Sequence, residues 1–394
     1  MIKRTLYLNK VIPVMNKPVI KVLLGMRRVG KSTLLKQISD ELIENGVKKS
    51  QVIHLNFELM TNEYLLNYET LYKELDQLMV SDEKYYIFLD EIQEVMGFEK
   101  VINSLNAEGR ADIYVTGSNS KLLSGELATY LTGRTYTIEV FPLSFKEIYN
   151  NQKLLNINEC FLEYVDYGGM PIRLGFDSNE TFKNYLSDVY QAILLKDIVS
   201  RYSIRDIDLL NRFMYYVLHN IGQIFSANSI TKFLKSEGRK LSKETIYHYI
   251  DACKSAYLIH SIPRYNIKGK ELLRTNEKYF INDLGIRSLY FSNQTDIGQS
   301  LENIVLLELL RRDKTVYVGK FDEYEVDFVI VEGDKVEYIQ VTYLLAEAST
   351  IEREFSVLEK IADNHPKTVI SMDLVNKSRN GIEHKNIIEF LMED

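Results

Sequence analysis

Short, nearly unbroken apolar runs alternate with helical patterns through the first 140 residues. VIKVLL (19–24), QVIHLNF (51–57), YYIFLD (85–90), DIYVTG (112–117) and TYTIEV (135–140) read as strands. Helical stretches at 32–43 and around 68–80, 98–108 and 120–131 separate them. Strands that are apolar on both faces belong to a parallel sheet covered by helices on both sides. The segment therefore reads as a doubly wound α/β domain. Residues 141–205 look helical, with Tyr185, Val189, Ile193, Leu194 and Ile198 at helical spacing. Three helices are expected over 206–256, two of them opened by the capping serines Ser226 and Ser242. The β-like runs AYLIHSIPRYN and KYFIND follow, which is the pattern of a winged helix-turn-helix. Beyond residue 295 come a helix (SLENIVLLELLRR), strands TVYVG, YEVDFVIVEG and VEYIQVTY, a helix around 347–363, a strand TVISMD and a terminal helix.

Bulk properties narrow the setting. The chain has 394 residues, 45% hydrophobic and 26% charged, as in soluble proteins with real cores. It has no apolar run of spanning length and no signal-peptide block at its start. Cys160 and Cys253 form no paired motif, which excludes a disulfide framework and a Cys-rich zinc site. A cytoplasmic protein without membrane contact is expected. Net charge is -7, but residues 226–290 hold 12 Lys+Arg against 6 Asp+Glu, and residues 300–394 hold 11 against 20. The basic segment reads either as a nucleic-acid footprint or as a solvated surface.

The sharpest chemistry is a phosphate loop. Gly25-Met26-Arg27-Arg28-Val29-Gly30-Lys31-Ser32 fits G-x-x-x-x-G-K-[ST] after a strand and before a helix. Gly25 and Gly30 let backbone N–H groups wrap phosphates, and the helix N-terminus adds partial positive charge. Lys31 is expected on the β and γ phosphates, and Ser32 on Mg²⁺. Gly25, Arg27, Arg28, Val29, Gly30, Lys31, Ser32 and Thr33 are thus the expected ATP-binding residues. Asp90 and Glu91 end the apolar strand YYIFLD; Asp90 suits the metal, and Glu91 the activation of water. Asn119, past the next strand, either positions water or is a loop-entry residue. Asn56 either restrains Glu91 or does the same. Arg134, before the last strand, reads either as an arginine finger reaching a neighbour's ATP in a ring or as a surface residue.

With these motifs in place, the chain resembles bacterial and archaeal AAA-family ATPases that carry a C-terminal domain with a PD-(D/E)xK-nuclease-like core. The resemblance lies in LLGMRRVGKSTLL, YYIFLDEIQ, YVTGSNS, TGRTYTIEVFPLSF, YGGMP, LKDIVSRY, TIYHYIDACKSAYLI, KYFINDLGIR, LENIVLLEL and YEVDFVI. It implies four domains: a P-loop AAA domain (1–140), a helical lid (141–205), a winged helix (206–295) and a restriction-endonuclease-like α/β domain (296–394). A homo-oligomeric ring is the implied assembly. In related signal-transduction ATPases a Gly-x-Pro of the lid packs on the base; Gly169-Met170-Pro171 is similar, which makes Pro171 either an adenine contact or part of a simple turn.

The nuclease-like pattern departs where it matters. Its acids correspond to Glu302 on the helix and Asp327 on a strand, but the E-x-K position reads Gln340-Val341-Thr342. Gln is a poorer metal ligand than a carboxylate and Thr is no cation, so the expectation is a nuclease-like fold without cleavage, with Glu302 and Asp327 structural. In the winged helix, Lys243, His248 and Lys254 are expected exposed, and Tyr247, Tyr249 and Tyr257 core or interface. DNA and protein both remain candidate partners. The reading as a whole is an ATPase acting on branched or duplex DNA, or alternatively a nucleotide-switched signalling or defence protein.

Overall fold

A computed structural model describes residues 2–123, 133–152, 156–236, 238 and 242–393. It divides into two compact units, Met1–Val140 with Ser255–Tyr257, and Phe141–Lys254 with Leu258–Asp394. Most of the helix expected around 120–131 lies outside the described residues.

In the first unit the expected strands appear as β1 (Ile20–Leu24), β2 (Val52–Asn56), β3 (Tyr85–Asp90), β4 (Ala111–Gly117) and β5 (Thr135–Glu139). They form one parallel sheet in the order β2-β3-β4-β1-β5. Every residue of β1, β3 and β4 is buried, which is why these runs are almost wholly apolar. Ile20, Val22 and Leu24 share one face with Ile87, Leu89, Ile113 and Val115. The other face holds a ring stack, His54 on Phe88 at 4.4 Å and Phe88 on Tyr114 at 4.7 Å.

Lys21 interrupts the apolar run of β1 and is fully buried. Its ammonium pairs with Asp112 and donates to the Lys17 carbonyl at 3.1 Å. Asp112 also accepts from Tyr114 Oη at 2.7 Å and Asn16 N at 2.8 Å. Burial pulls the Lys21 pKa below its usual value, against the hydrogen bond and charge of Asp112. Removing one partner of such a pair strands a buried charge, at a cost of about 3–5 kcal/mol. Lys21→Met should therefore destabilise the protein by about that much in denaturant unfolding, and Lys21→Met with Asp112→Leu should recover part of the loss.

The second unit opens with the helices Phe145–Asn151, Ile157–Tyr167 and Asn179–Ala192; the last runs on into a π-helical stretch, Ile193–Ser200. Three helices follow, Ile207–His219, Ala227–Ser236 and Lys243–Ser255. Ser226 and Ser242 Oγ accept from Ser229 N at 3.3 Å and Thr245 N at 3.2 Å, so both serines cap as expected. Tyr249 is buried, whereas Tyr247 is 56% exposed and so lies outside the core. It projects from the outward side of its helix, beside the exposed His248.

The strands β6 (Ile259–Asn266) and β7 (Glu271–Ile281) form an antiparallel pair. They do not stand alone. β6 pairs in parallel with β8 (Val316–Phe321) through Arg264–Val318. Together with β9 (Tyr324–Glu332), β10 (Lys335–Val341), β11 (Lys367–Ser371) and β12 (Glu383–Asn386) they build a seven-stranded sheet, β12-β11-β10-β9-β8-β6-β7. This sheet runs across the expected boundary at residue 295. The helix Ala348–Lys360 seals one face with Phe355 and Leu358 against Val326, Val329 and Val369. No helix among the described residues is long and apolar enough to cross a membrane.

Candidate active site

The register of the first sheet gathers the expected chemistry along its carboxyl edge. Leu24 pairs with Gly117, Asn56 with Asp90 and Leu89 with Val115, so the ends of β1 to β4 come level. Gly25 continues β1 where a Cβ would lie 2.2 Å from the Val140 carbonyl oxygen, so no side chain fits there. Arg28 (φ 67°) and Gly30 (φ 97°) turn the loop through left-handed conformations. Gly30 leads directly into the helix Lys31–Glu44, whose first N–H groups receive no side-chain cap. Such an uncapped N-terminus behind a tight loop is suited to anions. Arg27 pairs with Glu58 at 2.8 Å, and the Val29 carbonyl accepts from Arg4 at 3.1 Å, which fixes the loop's outer flank.

Lys31 is 4% exposed. Its ammonium donates to the carbonyls of Gly25 at 3.1 Å and Met26 at 3.2 Å and lies 3.4 Å from Glu91 Oε1. Glu91 sits just past β3 in a left-handed conformation (φ 54°). Its N–H donates to Thr116 Oγ1 at 2.8 Å, and Gln93 Nε2 donates to its Oε2 at 2.5 Å. Burial opposes its charge, but Lys31, Gln93 and Arg27 outweigh burial and hold the carboxyl below its usual pKa. Asp90 behaves the opposite way. Burial raises its pKa despite hydrogen bonds from Ser32 and Thr116, the latter at 2.5 Å. Two adjacent carboxyls pushed in opposite directions are set up for different tasks.

Asn56 does not restrain Glu91. Its Nδ2 donates to Asp90 Oδ2 at 2.8 Å, because the register sets Asn56 beside Asp90. Thr116 and Gln93 carry the contacts that sequence reasoning left out; the only signal for Gln93 was its place in the DEIQ run. Ser118 and Asn119 are buried just past β4, on the same edge. Arg134 is exposed at the other end of the sheet, where its carbonyl accepts from Ile20 N at 2.7 Å and its side chain reaches Asn103 at 3.5 Å. The fold thus keeps Arg134 away from its own chain's phosphate loop.

Residues 17–149 match the family model of an AAA domain, and residues 158–296 match that of a domain of unknown function. The chain is 36% identical over 402 residues to an uncharacterized protein of Haemophilus influenzae, spanning 100% of this chain and 99% of that one. It belongs to that protein's family. The uncharacterized protein MJ1544 of Methanocaldococcus jannaschii is similar as well, 32% identical over 92% of this chain and 83% of its own length. Among solved structures, AMPPCP-bound DnaA from Aquifex aeolicus is similar over 63% of this chain and 86% of that one, at 16% identity and a TM-score of 0.33. What this family member carries in its first unit is a P-loop AAA domain.

In the second unit the Gly-Gly-Met-Pro run has a packing role of its own. Gly168 has φ 69°, and a Cβ there would meet Asp283 Oδ1 at 2.1 Å; one on Gly169 would meet the Leu143 carbonyl at 2.2 Å. Asp283 accepts from Gly169 N at 2.7 Å and Gly285 N at 2.9 Å, while burial lifts its carboxyl to about 7. Pro171 begins the turn Pro171–Gly175 in this unit.

The family member's second acidic site holds an unexpected cation. Glu302, from the helix Ile297–Arg311, and Asp327 on β9 both face Lys278 of β7, at 3.1 and 3.7 Å, and Glu325 lies 2.7 Å from the same ammonium. Asp327 also accepts from Val341 N at 2.8 Å, and Gln340 Oε1 accepts from Asp327 N at 3.3 Å. Three carboxylates around one buried ammonium leave excess negative charge. Burial and the neighbouring Asp327 accordingly push Glu302 up to about 8, in spite of Lys278. A carboxyl whose folded pKa is raised stabilises the fold at low pH and loses that contribution as pH rises through the folded value. Thermal unfolding of the full chain should therefore show stability falling between pH 4.5 and about 8, with a shallower fall in Glu302→Gln. An unchanged slope in that variant would contradict the assignment.

A Ser371–His384–Asp373 set also comes together, but its protons run the wrong way for a nucleophile. His384 Nδ1 accepts from Lys377 N at 3.1 Å, so Nε2 carries the proton and donates to Ser371 Oγ at 2.8 Å, which itself donates to Asp373 at 2.8 Å. This set closes the β11–β12 connection.

Proposed function

We propose that this protein hydrolyses ATP and uses the cycle to drive conformational work on nucleic acid. The observation that carries the ATPase reading is the convergence of Lys31, Asp90 and Glu91 on one strand edge behind an uncapped helix N-terminus. The donor set fits a magnesium–nucleotide complex: Lys31 faces two carbonyls and a carboxylate it can exchange for phosphate oxygens, and the Ser32 hydroxyl already bonds Asp90. Ser32 and Asp90 would hold Mg²⁺, which supplies neutralisation of phosphate charge when bound. Lys31 turns from Glu91 to the β and γ phosphates. Glu91, kept ionised, accepts a proton from the water that attacks the γ phosphorus as the bond to ADP breaks. Asn119 lies on the edge where that water would be held. Arg134 would serve a neighbouring copy's site in a homo-oligomer.

The nucleic-acid reading rests on the basic excess of residues 226–290 and on the three-helix segment ending in Lys243–Ser255, read as a winged helix with Lys243 and Lys254 exposed. Residues 296–394 are read as a nuclease-like domain without cleavage, given Gln340 and Thr342. A protein target is favoured by one observation. The cleft of about 390 Å³ beside Lys243 and Lys254 is also lined by Asp251 and Glu277, which balances its charge.

Glu91→Gln should bind ATP as the wild type does and lose at least about a hundredfold in turnover, whereas Lys31→Ala should lose ATP binding itself. Arg134→Ala should keep binding and lose turnover; full activity would remove it from the site. Duplex DNA should bind with an affinity that falls steeply with salt and should stimulate ATPase. Salt-independent or absent binding would favour the protein target.

A further inference from the structure

We infer that Gln93 is the positioning residue for Glu91, the group that holds this carboxylate in place when Lys31 leaves it for the nucleotide. The inference rests on the ATPase reading above and adds to it a role for Gln93.

In the structure Glu91 has one contact on each oxygen. Oε1 faces Lys31 at 3.4 Å and Oε2 accepts from Gln93 Nε2 at 2.5 Å. Only the first of these is lost when Lys31 turns to phosphate. Asn56 cannot take over, because its amide is engaged with Asp90. The backbone of Glu91 is pinned by Thr116, so the side chain alone is free to swing. Without a second contact, the carboxylate would follow the departing ammonium or turn to solvent.

The orientation of the Gln93 amide is not arbitrary. Reversing it would set Oε1 against the carboxylate. As placed, Nε2 donates to Glu91, and Oε1 is buried without a protein partner among the described residues. It packs where a Cβ on Gly117 would lie 3.0 Å away. A buried acceptor with no protein partner costs stability. An arrangement that accepts this cost to aim one N–H at Glu91 is explained by the work of that N–H and not by packing. The side chain also has the needed reach: two residues past Glu91, it folds back across the turn Ile92–Glu94.

The test compares the full-length wild type, Gln93→Met and Gln93→Ala, with equilibrium ATP binding, melting temperature, kcat and KM measured for each. Met keeps the length of the side chain and removes the donor. The expected result is a fall in kcat of roughly tenfold to a hundredfold in both variants, with ATP affinity, KM and melting temperature close to wild type. Wild-type kcat in Gln93→Met would show that the side chain only fills space and would overturn the inference. So would a joint loss of ATP affinity and melting temperature, which marks a structural role. Equal turnover by wild type and Glu91→Gln is a different failure: it removes the ATPase reading, and the role of Gln93 with it.

Discussion

The phosphate loop is organised around one ammonium in a place where it has too few partners to be settled. Lys31 is buried, and its charge is met by two backbone carbonyls and a carboxylate oxygen at the long distance of 3.4 Å. Carbonyl dipoles and a distant anion stabilise a buried cation less well than a close ion pair does. That deficit makes the position receptive to phosphate. The glycine at 25, the left-handed turns at 28 and 30, and the uncapped helix behind them all surround this one group. Glu91 is its counter-ion; in the proposed cycle the arrival of nucleotide would release it.

Two other lysines among the buried polar groups show how partner number decides the role. Lys21 has one close carboxylate and one carbonyl, a neutral, closed pair between β1 and β4. Lys278 has three carboxylates, more charge than it can balance, and the surplus is met by a proton that Glu302 retains to unusually high pH. In the second unit this ammonium joins the helix Ile297–Arg311 to β7 and β9. It stands among the acids that a nuclease-like fold would devote to a metal. The first of these pairs is structural, the last is over-supplied with acid, and only Lys31 sits in between.

Much of this was legible in local sequence. The phosphate loop, the apolar strands and the two acids at the end of β3 are each local in sequence, and their chemistry needs no distant partner to be recognised. That the first sheet is parallel was legible from its inner strands β1, β3 and β4, which are apolar on both faces. What escaped depended on register or on long-range pairing. Whether Asn56 meets Asp90 or Glu91 turns on a one-residue difference in strand register. The merging of β6 and β7 into the larger sheet depends on a parallel contact between Arg264 and Val318, more than fifty residues apart. Lys278 reaches Glu302 and Asp327 only through that merger. The strand Glu383–Asn386 was invisible because EHKN has neither apolar character nor alternation. Helical spacing alone left core and interface both open for Tyr247, because it does not say which face turns inward; the residue is exposed.

The most direct test is a crystal structure of the full chain with Mg²⁺ and a non-hydrolysable ATP analogue. The account predicts that Lys31 Nζ leaves Glu91 and the two loop carbonyls for the phosphate oxygens, with Ser32 and Asp90 facing the ion and Glu91 still held by Gln93. A nucleotide bound elsewhere, with the Lys31–Glu91 contact intact, would contradict it.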